Sequence, residues 1–210
     1  MELTGKKVAF LGDSITEGVG ASSPKTCFVR VFARNEGALA RNYGIGATRI
    51  ARQKDKVAFN DFQDFVSRVE TLETDADIVV VFGGTNDYGH GDAPFGSPED
   101  ATADTFCGAC NVLFERLNER FPRAEKVALT PLGRASESTP PQGKRSLKEY
   151  AAVLKESALR HGWQVLDLYE KCKSDPIVRG VRENLNDGLH PNDRGHALLA
   201  EAVAAFLKRL

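Results

Sequence analysis

Lys7-Val8-Ala9-Phe10-Leu11-Gly12-Asp13-Ser14-Ile15-Thr16 sets an apolar run directly against a polar turn. A run that short and uninterrupted by charge reads as a strand buried on both faces, and Gly-Asp-Ser reads as the strand-to-helix turn at its C-terminal end. Four further runs of the same kind are expected as strands: Leu39–Tyr43, Asp77–Gly83, Lys126–Leu132 and Gln164–Leu168. Val79-Val80-Val81-Phe82 is the most uniformly apolar of them and is expected at the centre of a sheet. Helical periodicity falls between the runs, near Thr26–Asn35, Phe59–Leu72, Ala101–Phe121 and Ser146–His161. A last helix, capped by Asn192, carries Leu198, Leu199, Ala202, Val203, Phe206 and Leu207 on one stripe. Strand and helix alternate throughout, so the expected class is α/β, with a five-stranded parallel sheet covered on both faces in one domain over residues 1–210.

Composition narrows the function. The 210 residues carry 28 Lys+Arg against 29 Asp+Glu, a net charge of -1, and so lack the basic field of a nucleic-acid or anionic-membrane binder. A small-molecule substrate fits better. The longest strongly apolar stretch, Ile78 to Phe82, is far short of the roughly 20 residues that cross a bilayer. The first residues show no basic region followed by an apolar core, and the expectation is a cytoplasmic protein. Cys27, Cys107, Cys110 and Cys172 do not form a disulfide framework. Cys107-Gly108-Ala109-Cys110 falls within a helical segment, without further ligands at zinc spacing, and is read as buried, inert thiols.

The chemistry lies in the turns. A serine hydroxyl is a poor nucleophile until a base takes its proton and a third group orients that base. Ser14 has both downstream in Asp187-Gly188-Leu189-His190-Pro191, where Asp187 reaches the second ring nitrogen of His190 if Gly188 and Leu189 turn tightly. Two more blocks follow predicted strands: Asn42-Tyr43-Gly44-Ile45-Gly46-Ala47-Thr48 and Gly83-Gly84-Thr85-Asn86-Asp87. Loops at the C-terminal edge of an open parallel sheet meet at the ligand site, so all four converge. Asn86 suits an oxyanion because its amide donates without titrating.

The other polar residues have plainer readings. Asp13 and Asp87 hold turns and have no companions for a metal site, so neither metal nor cofactor is expected. Asp13, Arg49 and Arg134 are candidate substrate contacts. His90 reads as a pocket-rim or surface residue, His161 as a helix end, and His196 as packing or surface. Gly44-Ile45-Gly46-Ala47-Thr48-Arg49 lacks the third glycine of a dinucleotide fingerprint, and Gly143-Lys144-Arg145-Ser146 lacks the upstream glycine of a phosphate loop.

From residue 12 to residue 191 the chain closely resembles the SGNH hydrolases, or GDSL esterase/lipase family, whose four blocks carry Ser, Gly, Asn and His in this order. The resemblance implies a flavodoxin-like three-layer α/β/α sandwich. It also implies Ser14 as nucleophile, His190 as general base and acid, Asp187 as its orienting partner, and Asn86 with the Ser14 backbone N–H at the oxyanion. The family's oxyanion glycine falls on Ala47, one residue after Gly46, and the second-block donor stays open between the two. The expected reaction is hydrolysis of small esters, short acyl groups such as sugar acetates first, through an acyl-serine. A thioesterase, lysophospholipase or acyltransferase of the same family is the nearest alternative, and a flavodoxin-like binding or redox module the alternative of another class.

Overall fold

The structure, a computed structural model, describes residues 1–54, 63–135, 137 and 145–210. Five strands, β1 (Lys7–Gly12), β2 (Leu39–Gly44), β3 (Ile78–Phe82), β4 (Glu125–Leu129) and β5 (Gln164–Leu166), form one sheet in the order β2-β1-β3-β4-β5. Every neighbouring pair is parallel, and the register aligns Gly12 with both Gly44 and Phe82, bringing three strand ends to one edge. The helices among the described residues are α1 (Ser14–Glu17), α2 (Phe28–Glu36), α3 (Phe65–Arg68), α4 (Thr85–His90), α5 (Phe106–Arg120), α6 (Leu147–Arg160), α7 (Leu168–Ser174), α8 (Pro176–Glu183) and α9 (Asp193–Leu207).

Side chains alternate across the pleat, so the sheet has two apolar faces and needs cover on both. Val8, Phe10, Ile78, Val80, Phe82, Val127 and Leu129 pack with α2, α7, α8 and α9. Leu11, Val79, Val81 and Ala128 pack with α3, α5 and α6. The result is the three-layer α/β/α arrangement. Strand order reverses between β1 and β3, and the crevice beyond their carboxyl ends is where such sheets bind ligands. α1 and α4 begin there.

Helix starts follow their caps. Ser146 and Glu149 form a reciprocal capping box at α6, and Asn192 accepts the Gly195 N–H at 3.0 Å at α9. The helix expected over Ala101–Phe121 begins later, because Thr105 accepts from Gly108 and holds Asp100 through its own hydroxyl at 2.7 Å. The segment expected over Phe59–Leu72 lies partly outside the described residues; its described part is α3, capped by Asp64, and a 3-10 turn at Val69–Thr71. The fifth strand ends at Leu166 rather than Leu168, because Asp167 caps α7. Both α7 and α8 lie where no helix was expected. No helix among the described residues is long and apolar enough to cross a membrane.

Candidate active site

Ser14 is the first residue of α1, at the carboxyl end of β1. Asp13 caps the helix: its carboxylate accepts the Ile15 N–H at 3.0 Å, which sets the turn that lifts Ser14 out of the strand. Burial pushes the Asp13 carboxyl up to about 7, against the lowering effect of that bond and of His190. The second block is pinned onto the same helix. Asn42 donates its side-chain amide to the Thr16 carbonyl at 2.7 Å and accepts the Gly44 N–H at 2.8 Å. Gly44 lies so close to α1 that a Cβ there would sit 2.0 Å from the Glu17 nitrogen, which excludes every other residue.

His190 comes from the loop between α8 and α9. Asp187 shapes this loop with one carboxylate oxygen, which accepts the backbone N–H groups of Leu189 at 3.0 Å and His190 at 2.8 Å. Its other oxygen meets the ring Nδ1 of His190 at 2.7 Å. The tight turn needed at Gly188 is present, with φ 83°. Partial burial works to raise the Asp187 carboxyl, but the bonds from the His190 backbone and ring and the Leu189 backbone overcome it and bring the pKa down to about 2. The opposite ring nitrogen, Nε2, lies 2.9 Å from Ser14 Oγ. A continuous hydrogen-bond chain therefore runs from carboxylate through imidazole to hydroxyl.

Asn86 stands in α4 at the end of β3 and is 4% exposed. Its amide nitrogen donates one N–H to the Thr48 carbonyl at 3.0 Å, and its amide oxygen meets His90 Nε2 at 3.1 Å, so the side chain is held at both ends with a second N–H to spare. Gly46 and Ala47 line the same cleft and differ in what they offer. The Gly46 N–H donates to a Glu17 carboxylate oxygen at 2.7 Å. Ala47 has φ 63°, the left-handed region that glycine enters without strain and alanine does not. Among the described residues it is the only non-glycine residue there.

Two residues with no assigned role hold the site together. Arg68, 5% exposed, donates to the Tyr43 carbonyl at 2.7 Å and to the Gly12 carbonyl and Thr48 Oγ1 at 3.0 Å each, binding the first and second blocks through one guanidinium. Burial lowers its pKa to about 10, against the raising effect of Asp13 and Asp64. A signal was present: Phe65, Arg68, Val69 and Leu72 recur at i, i+3, i+4 and i+7, which puts the arginine on the buried stripe. Glu17 is the second; it lines the cleft and fixes Gly46.

Ser14, Gly46, Ala47, Asn86, Arg134 and His190 share one cleft of about 480 Å³, with His90 on its wall. Asp187 stands behind His190. Asp13 and Arg49, expected as substrate contacts, are 2% and 4% exposed and are not part of the cleft wall. Asp87 is buried too, accepting the Ile50 N–H at 3.0 Å and the Ala51 N–H at 2.9 Å, and burial carries its pKa up to about 6 against those bonds. His196 is a core residue: its Nδ1 accepts from the Phe28 N–H at 3.2 Å and its Nε2 donates to the Val19 carbonyl at 3.3 Å. His161 caps the end of α6. Cys107 sits in the first turn of α5 rather than in the body of a helix, yet burial raises both its thiol and that of Cys110. Among the described residues no group of three His, Cys, Asp or Glu side chains is placed to hold a metal ion. His90, expected at a pocket rim or the surface, belongs with Tyr88 to α4 and lines the cleft from that helix.

A parallel sheet that presents serine, imidazole and carboxylate in hydrogen-bonded sequence at its switch point belongs to the α/β proteins with a hydrolase-type site. Residues 10–198 match the family model described as GDSL-like Lipase/Acylhydrolase, and the chain belongs to that family, a class of carboxylic ester hydrolases. It is 25% identical over 215 aligned positions to an acetylxylan esterase of Xylanibacter ruminicola; the match takes in 96% of this chain and spans 43% of that esterase's length. A crystal structure of a Lactobacillus plantarum protein superposes with a TM-score of 0.82 at 26% identity, covering 99% of this chain and 98% of the other. The lipase/acylhydrolase of Enterococcus faecalis shares the fold, with a TM-score of 0.66 at 23% identity and coverage of 97% and 96%.

Proposed function

We propose that this chain hydrolyses small carboxylic esters, acetyl esters of sugars or similar alcohols foremost, through an acyl-Ser14 intermediate. The observation that carries the reading is the relay itself: 2.9 Å from Ser14 Oγ to His190 Nε2 and 2.7 Å from His190 Nδ1 to Asp187. Ser14 Oγ attacks the ester carbonyl carbon as its proton passes to Nε2, and Asp187 holds the imidazolium that forms. The tetrahedral intermediate collapses, Nε2 returns the proton to the departing alcohol, and the acyl group stays on Ser14. Water then attacks the acyl carbon, giving its proton to Nε2. Collapse of the second intermediate restores the Ser14 hydroxyl and releases the carboxylic acid.

The oxyanion is received by the Ser14 backbone N–H, the Asn86 amide and the Ala47 N–H. Ala47 is preferred over Gly46 because the Gly46 N–H is directed at Glu17. Donors fixed in advance of the reaction are each worth about 3–4 kcal/mol in such sites. The Thr48 and His90 bonds to Asn86 supply that fixation. The preference for short acyl groups is supported by the acetylxylan esterase relative.

The test is a substrate panel: acetylated sugars beside p-nitrophenyl esters of rising acyl length, with Ser14→Ala as control. Acetyl esters should be turned over fastest, and Ser14→Ala should lower kcat by on the order of 10⁶. Turnover retained by Ser14→Ala would overturn the mechanism. A preference for long acyl chains would overturn the substrate class.

A further inference from the structure

Arg134 is the charged cleft residue for which the relay has no use. It lies half-buried on the same wall as Ser14, His190 and Asn86. Its position is set by neutral partners only: Nη2 donates to the Thr85 carbonyl at 2.6 Å and to Thr85 Oγ1 at 3.0 Å, and Nε donates to Thr85 Oγ1 at 3.2 Å. The guanidinium carbon stacks 4.9 Å from the centre of the Tyr88 ring. Arg182 braces the backbone by donating to the Arg134 carbonyl at 3.0 Å. The guanidinium also needs Gly89, another cleft residue, where a Cβ would stand 2.7 Å from Nη2 and 3.3 Å from Nη1. Among the described residues no carboxylate forms an ion pair with Arg134 and no acceptor bonds to Nη1. The acids close enough to act on its charge are bonded elsewhere: Glu137 with the Tyr169 hydroxyl, Asp13 with the Ile15 N–H and Asp187 with His190.

A rigid, partly desolvated guanidinium whose Nη1 makes no bond among the described residues, and which pairs with no carboxylate there, matches a planar anion, the geometry that carboxylates supply. Resting on the esterase reading of the cleft, we infer that Arg134 is a specificity-determining residue that selects esters bearing a carboxylate beside the scissile bond. That carboxylate belongs either to the acyl group, as in a monoester of a dicarboxylic acid, or to the alcohol, as in an acylated uronic or hydroxy acid. The shared chemistry is an anionic ester, and two pairs of substrates separate its sources.

The acyl-side pair is mono-4-nitrophenyl adipate against 4-nitrophenyl hexanoate; the alcohol-side pair is 3-acetoxybenzoate against 3-acetoxybenzamide. In the pair that matches the natural substrate, kcat/KM of the wild-type protein, corrected for uncatalysed hydrolysis, should favour the anionic member by about 10- to 100-fold, the size of one charge-assisted hydrogen bond. The preference should reside in KM and weaken as salt is raised. Arg134→Gln should abolish the ratio, and Arg134→Lys should keep part of it. Equal turnover within both pairs, or a preference for the neutral members, would overturn the inference without touching the esterase reading. So would an unchanged ratio in Arg134→Gln. The wild-type ratio and its salt dependence decide the matter even if Arg134→Gln does not fold. If none of the four esters is turned over, the esterase reading fails and takes this inference with it.

Discussion

Replacing Ala47 with glycine should stabilise the protein, the reverse of what the same change does almost everywhere else. Ala47 has φ 63°, and holding an L-residue with a Cβ in that region costs roughly 1–2 kcal/mol. Glycine removes that cost but releases more chain entropy on unfolding, worth about 0.5–1 kcal/mol. The difference is a net gain of about 0.5–1 kcal/mol for Ala47→Gly. Ala205, exposed on α9 in ordinary helical conformation, serves as the internal control. There the same substitution should cost about 1 kcal/mol. Urea denaturation of the two variants beside the wild-type protein, at equal m-values, reads both differences directly. Ala47→Val should lower stability further, because a β-branched residue fits this region worse than alanine. If Ala47→Gly and Ala205→Gly are destabilising to the same degree, Ala47 does not occupy the left-handed region and the reasoning from its φ fails.

Further expectations concern the supports of the site. Asp187→Asn keeps the shape of the side chain but removes the charge facing the imidazolium, and should lower kcat by on the order of 10⁴ with little change in KM; an unaltered kcat would reject the relay. Asn86→Ala should lower kcat by about 10²–10³, and unaltered kcat would place the oxyanion elsewhere. Arg68→Met should cost about 3 kcal/mol or more in urea denaturation, since the Gln63, Tyr43 and Gly12 carbonyls and the Thr48 hydroxyl lose their donor; a loss under 1 kcal/mol would show that the two blocks hold without it. For Asp13, burial sets the folded pKa at about 7, above the roughly 3.9 of a solvated aspartate, so the native state binds the proton more tightly and stability falls as pH rises between those values. Asp13→Asn, whose amide oxygen can still accept from Ile15, should therefore gain on the wild-type protein from pH 4 to pH 8 by up to about 4 kcal/mol; parallel pH–stability curves would contradict this.

Much of this arrangement was readable because it is local. The apolar runs that became β1 and β3 can satisfy their backbone and bury their side chains in few other ways, and Gly12-Asp13-Ser14 follows one of them immediately. The Asp187–His190 pairing needs a single turn, which Gly188 permits. What escaped depends on contacts between distant segments. Arg68 lies on an apolar stripe, but its bonds to Gly12, Tyr43 and Thr48 exist only once distant segments meet, and Arg49 reads as a substrate contact until the second block folds it to 4% exposure. The helices α7 and α8 bury only Leu168 and Cys172, and Val178 and Val181, too few apolar positions for periodicity to register. Their caps at Asp167 and Asp175, the latter followed by Pro176, were the visible signals. The bond from the Gly46 N–H to the Glu17 carboxylate, which sets Gly46 apart from Ala47, joins segments too far apart in the chain to be read from the sequence.

The most direct measurement is the site of covalent capture. Treated with a fluorophosphonate at neutral pH, the protein should gain one adduct in its intact mass, and peptide mapping should place it on Ser14; Ser14→Ala should gain none. An adduct on another residue, or equal labelling of Ser14→Ala, would contradict the assignment of the nucleophile and the mechanism built on it.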